Sequence, residues 1–164
     1  MILHQVLRLG AHEIHECARH RRDLLAHRIH ELPLALDRQA LHVEHRELAH
    51  AELKAGHADA ALAAATEASN IADSTDDIKL AWMAWHVFGR VQERLGHNEP
   101  AAAAYEKAVT ALVEEMGRGS NDSDSEGWLG YGRIREVFND AVDLLFRMGH
   151  VDRAMDVAQR SRDA

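Results

Sequence analysis

The sequence predicts an all-α fold built from antiparallel helical hairpins, and three observations carry that expectation. Ala, Leu, Glu and Arg dominate the 164 residues, while proline occurs only at Pro33 and Pro100 and aromatics make up 5%. Such a composition favours helix and leaves few β-branched residues to build strands. A Gly-His turn recurs three times, and the segments between turns place apolar residues at helical spacing.

The recurring turn reads Lys54-Ala55-Gly56-His57-Ala58-Asp59-Ala60-Ala61, Arg94-Leu95-Gly96-His97-Asn98-Glu99-Pro100-Ala101 and Arg147-Met148-Gly149-His150-Val151-Asp152-Arg153-Ala154. A glycine after a periodic segment adopts the left-handed conformation that ends a helix. The basic residue before it suits the negative end of that helix, and the acid after it suits the positive start of the next. The alanine five residues beyond each glycine leaves room for a neighbouring helix.

Taken in order, residues 11–31 and 34–55 form two helices separated at Pro33, because the residue before a proline is pushed out of the α region. Helices follow at 58–72, 76–95, 98–117, 126–148 and 150–162, about seven in all. Ser74-Thr75-Asp76-Asp77 offers an N-cap and an acidic first turn, and Asn98 is expected to cap with Pro100 tolerated in the turn behind it. Arg118 to Ser125 is a polar loop. The chain is thus read as one domain over 1–164: an N-terminal helix or cap at 1–33, hairpins at 34–73, 74–117 and 126–164, and the loop at 118–125. The 11–31 helix is open to three readings: a divergent half-repeat, a cap or a dimerisation element.

Small or aromatic residues recur four and seven positions after the repeat alanine: Ala65 and Ala68, Tyr105 and Ala108, Ala158 and Ser161. Packing residues recur eight and seven positions before the glycine: Leu48 and Ala49, Phe88 and Gly89, Ala141 and Val142. Trp85, Phe88, Gly89, Gly96, Ala101, Tyr105 and Ala108 together resemble the tetratricopeptide repeat, and the likeness extends over roughly 34–164. Glycine-to-glycine intervals of 40 and 53 residues are similar to those of kinesin-light-chain-like and bacterial regulatory arrays. The stretch from Asp143 to Arg162 also resembles the hairpin that precedes caspase-like CHAT protease domains in bacteria. The resemblance implies a short right-handed TPR-like α-solenoid.

Composition excludes several function classes. A net charge of -8 with His neutral argues against general nucleic-acid binding, which needs a basic surface. Residues 1–57 hold eight Lys/Arg and eight Asp/Glu, whereas 58–164 hold eleven against nineteen and carry the deficit. Ten of the thirteen histidines lie in the first 57 residues, so acid charges that part first. A single cysteine, Cys17, allows no internal disulfide. With no signal-peptide pattern and no apolar run long enough to span a bilayer, a cytoplasmic protein without membrane contact is expected.

Candidate chemistry is sparse. On the 11–31 helix, His12, Glu16, His20, Asp23, His27 and His30 share a face, with Glu16/His20 and Asp23/His27 at i,i+4. No HExxH motif is present, Arg19 sits within the face, and a solvated polar surface is the expectation. Asp122, Asp124, Glu126 and Gly127 imitate half of an EF-hand loop, but position twelve falls on Arg133. Cys17 lies on the apolar side of its helix and reads as a small core residue. Trp82, Trp85 and Phe88 read as packing between hairpins, and His57, His97 and His150 as local turn residues. No enzyme, metal or cofactor is expected.

The tetratricopeptide resemblance implies a concave surface lined by the first helix of each hairpin. Carried over by position, it implies Val43, Arg46, His50, Leu53 and Lys54, then Met83, His86, Arg90, Glu93 and Arg94, then Glu136, Asn139, Asp143, Phe146 and Arg147. The partner-binding set drawn from these is Arg46, His50, Lys54, Met83, His86, Arg90, Arg94, Asn139 and Asp143. Arg46/His50/Lys54 and His86/Arg90/Arg94 form i,i+4 basic stripes, each pair costing its helix a few tenths of a kcal/mol. A basic groove for an acidic or carboxylate-bearing peptide is therefore expected, in an interaction module or adaptor. The chaperone-tail clamp is not kept, since His50, Val87, Glu136 and Asp140 stand where it needs Asn or basic residues. A regulatory or sensor subunit responding to peptide or pH is the alternative. A homodimer through an uncapped last hairpin is expected too.

Overall fold

The computed structural model describes residues 36–75, 77–118 and 127–163. The predicted 11–31 helix with its histidine face and Cys17, and the acidic loop after Arg118, lie outside the described residues. Among the described residues every regular element is a helix, and there are six. They are α1 (Leu36–Ala55), α2 (Ala58–Asp73), α3 (Ile78–Arg94), α4 (Asn98–Gly117), α5 (Gly127–Arg147) and α6 (Val151–Asp163). The predicted boundaries of these six fall within two residues of the observed ones.

The three glycine turns share one geometry. Gly56, Gly96 and Gly149 have φ of 83°, 78° and 80°, the left-handed region that glycine enters without a Cβ penalty. The following His N–H bonds the carbonyl five residues back, on Glu52, Gln92 and Leu145, each at 2.9 Å. The glycine N–H bonds the carbonyl three back, on Leu53, Glu93 and Phe146. This is the Schellman arrangement, which satisfies the last carbonyls of a helix. The His carbonyl then accepts the N–H of Ala61, Ala101 or Ala154 and opens the next helix. Each turn so consumes the loose ends of two helices in two residues, and the chain reverses.

Two start signals differ from expectation. Within the Ser74–Asp77 segment it is Asp77 that caps α3, which leaves no acid in the first turn of the helix: its carboxylate accepts the N–H groups of Lys79 at 3.0 Å and Leu80 at 3.2 Å. Ser74 instead ends α2, its hydroxyl donating to the Ile71 carbonyl. Asn98 does not cap α4, because His97 holds that position in the Schellman turn and pushes Asn98 inside the helix.

Helices pack in sequence. α1 lies on α2, α3 on α4 and α5 on α6, with α2 against α3, α4 against α5, α1 against α3 and α4 against α6. Within hairpins, alanines permit close approach: Ala49, Ala61 and Ala65 are buried between α1 and α2, and Val87 and Val91 of α3 join them. A larger cluster combines Trp82, Ala101, Tyr105, Ala108 and Leu112 with Val137, Phe138, Ala141, Leu144 and Leu145, then Ala154 and Val157. Gly89 shows why its position admits no side chain. A Cβ there would stand 2.6 Å from the Tyr105 ring, so the aromatic lies directly on the α3 backbone.

Candidate functional site

The first helices of the three hairpins form the side on which the predicted binding residues fall. α1 packs on α3, and α3 is tied to α5 by two polar bridges. His86 Nε2 donates to Asp140 Oδ2 at 2.8 Å, and Arg147 pairs with Glu93. Glu93 also accepts the Tyr105 hydroxyl at 2.7 Å, so one carboxylate joins α3, α4 and α5. Burial, then the bond to Glu93, pushes the Tyr105 phenol far above its usual range. That hydroxyl therefore stays protonated and serves as a fixed donor.

Five of the nine predicted binding residues are brought together between α1 and α3. Arg46 is largely buried, with 12% of its side chain exposed. One Nη donates to Glu47 at 2.9 Å, and the other meets the Met83 sulfur across the α1–α3 contact. His50, one turn further along α1, senses both Arg90 and Arg46 and also His86. Arg90 is exposed. The other predicted residues lie further out. Lys54 and Arg94 are exposed in the last turns of α1 and α3, and Asn139 and Asp143 are exposed on α5.

Charge on this side differs from the basic-stripe expectation in two ways. His50 is not a cation at neutral pH. Burial lowers its pKa to about 4, helped by the adjacent Arg90 guanidinium and opposed by Glu47. His86 is buried and engaged with Asp140, so it is a strut between hairpins and not a surface base. Leu53 packs against the first core cluster, while Val43 and Phe146 remain exposed. The cations left on this side are Lys54, Arg90 and Arg94, with Arg46 engaged by Glu47 and Arg147 by Glu93.

Two of the recurring histidines, His57 and His97, act locally as expected, through a side chain that the pattern above did not single out, whereas His150 reaches another hairpin. His57 Nδ1 donates to Glu52 Oε2 at 2.8 Å, and His97 Nδ1 donates to Gln92 Oε1 at 2.9 Å. The acceptor sits four residues before the glycine each time. The third turn has Leu145 there, and His150 turns outward to Glu99 at 3.0 Å. Aligning the three turns on their glycines would have exposed this Glu/Gln/Leu position. Beside it, Arg153 grips Glu106 with two bonds of 2.9 and 2.8 Å, fastening α6 to α4. That grip holds the Glu106 carboxyl below its usual range.

Trp85 is half-buried, as packing between hairpins requires. Its ring meets Phe88 edge-on at 5.6 Å, its Nε1 donates to Asp73, and Lys107 Nζ stands 3.8 Å over its face. The indole therefore joins α2, α3 and α4 and leaves no open cage for a ligand. His42 was not anticipated at all. It is fully buried in α1, and neither ring nitrogen has a hydrogen-bond partner. Burial and then Arg46 lower its pKa to about 4 against the opposing field of Asp77.

Among the described residues no three His, Cys, Asp or Glu side chains gather as metal ligands would, and no helix is long and apolar enough to cross a membrane. No protein-family model matches the chain, and no curated protein matches it in sequence.

Proposed function

We propose that this protein is a TPR-like interaction module whose α1–α3 side binds an acidic segment of another protein. The observation that supports it most is the state of the cations there. Arg90, Arg94 and Lys54 form no ion pair among the described residues, although the chain carries excess acid. Arg46 pairs with Glu47 through one Nη and spends the other on a thioether, a poor acceptor, and so keeps part of its donor capacity beside His50. Guanidinium groups so placed match a carboxylate in geometry and charge. Binding on such a face stacks an extended or helical segment across successive hairpins, as helical repeats do.

Fluorescence anisotropy with labelled acidic peptides tests this. Wild-type protein is expected to bind and the Arg90→Glu/Arg94→Glu variant to lose at least tenfold in affinity, since reversing two exposed cations converts attraction to repulsion. Equal binding by both proteins refutes the reading. A sensor role is the second reading, favoured by the two depressed histidines, His42 and His50, at the α1–α3 contact. An acid-induced change in ligand affinity without loss of helicity would distinguish it.

A further inference from the structure

Aligning the three hairpins on their turn glycines reveals a charge gradient across this side that individual helices do not show. Thirteen residues before each glycine stand Val43, Met83 and Glu136; six before stand His50, Arg90 and Asp143. The intermediate position holds Arg46, His86 and Asn139. Arg46 and Arg90 supply the charge on α1 and α3, with His50 neutral at physiological pH and His86 buried and engaged with Asp140. On α5 the position of Arg90 carries Asp143 and that of Met83 carries Glu136, both exposed and neither in an ion pair among the described residues. Asp140 lies beside them as the acceptor for His86. Arg147, one turn beyond Asp143, is already held by Glu93, while Arg133 and Arg135 stand on the N-terminal side of Glu136.

We infer that the partner segment is bipolar, with an acidic residue seated between α1 and α3 and a basic residue seated on α5 at Glu136 and Asp143. This rests on the acidic-segment reading above and adds the second charge. Packed helices lie about 8–10 Å apart and an extended chain advances about 3.3 Å per residue, so the two charges stand about three to five residues apart. A uniformly acidic segment long enough to reach α5 meets the exposed carboxylates of Glu136 and Asp143 and is repelled there. Like charges placed face to face select against wrong partners as effectively as opposite charges select for right ones. The face therefore discriminates by sign along the ligand, and poly-acidic tails are poor ligands.

Selection from a randomised eight-residue peptide display library on the purified full chain tests the inference. Wild-type protein is expected to enrich peptides with one acid and one base at that separation. The Glu136→Lys/Asp143→Lys variant, whose changes lie on an exposed face, is expected to keep the acid and lose the base. Synthetic peptides from each pool, measured by anisotropy against both proteins, are expected to exchange their affinity order, each by about tenfold for a difference of ~1.4 kcal/mol. Enrichment of acids without bases overturns the bipolar inference and leaves the acidic-segment reading standing. A pool with no charge preference overturns both. Circular dichroism of the variant, unchanged from wild type, assigns the altered preference to charge and not to unfolding.

Discussion

Burying His42 makes the stability of this protein depend on pH in a way that one substitution removes. The ring is 0% exposed, its two nitrogens have no hydrogen-bond partners, and its pKa falls from 6.5 to about 4. The charges that act on it are Arg46 and His45 on its own helix and Asp77, the N-cap of α3. Above pH 6.5 the ring is neutral in both folded and unfolded chains, and folding gains the full benefit of its burial. As pH falls toward 4, the unfolded chain takes up a proton that the folded one refuses, and stability is lost across that window. A shift of about 2.5 units corresponds to about 3 kcal/mol in full, of which about 2 kcal/mol is lost by pH 5.

Replacing His42 with leucine keeps the volume and removes both the titration and two unsatisfied nitrogens. At pH 7.5 His42→Leu is expected to equal or exceed the wild type by about 1–3 kcal/mol, the cost of stranded polar atoms. At pH 5 its advantage is expected to widen by about 2 kcal/mol. Urea unfolding followed by tryptophan fluorescence at the two pH values reads both quantities. His50, depressed for similar reasons, contributes a second loss that persists in the variant and couples to the first through their shared Arg46. If wild type and His42→Leu lose stability in parallel between pH 7.5 and 5, the burial argument is wrong.

Two glycines separate backbone strain from packing. Gly96→Ala meets open space, so its cost is conformational, about 1 kcal/mol, and asparagine, which tolerates the left-handed region, is expected to recover part of it. Gly89→Ala drives a methyl into the Tyr105 ring at 2.6 Å and is expected to cost about 1–3 kcal/mol, with no rescue by asparagine. Thermal denaturation of the four variants checks the pattern. On the last hairpin, Phe146 and Met155 are 66% and 65% exposed. Their repeat counterparts are engaged: Leu53 and Leu62 pack against the first cluster, Glu93 pairs with Arg147, and Ala102 is fully buried in the larger cluster. Pairing with a second copy through these residues predicts a light-scattering mass near twice 18.3 kDa at micromolar concentration. The Phe146→Ser/Met155→Ser variant is expected to return to one copy, and a single-copy mass for the wild type refutes the pairing.

Local chemistry made much of this fold legible. Gly56, Gly96 and Gly149 could be placed after helices because a left-handed C′ residue is a local requirement, independent of what the helix later packs against. The repeat alanines and Gly89 were legible for the same reason, since close approach excludes a side chain whatever the partner. The capping details were less so. Ser74 and Asp77 are both competent caps, and which one opens α3 depends on where α2 ends. The α1–α3 side could be drawn as a set of positions, but its charge could not be read. Arg46 and His50 look alike as basic residues on one stripe, yet burial beside Arg90 leaves one charged and the other neutral.

Sequence by itself determined the six described helices, the three turns and the pairing of each of these helices with its successor, because these follow from hydrogen bonds and steric limits spanning a few residues. Tertiary structure alone decided that His86 would meet Asp140 and Arg147 would meet Glu93, each 54 residues away, and that His42 would be enclosed without a partner. Protonation and pairing depend on the distance to other charges and on the exclusion of water. Both are set only when remote helices close on one another.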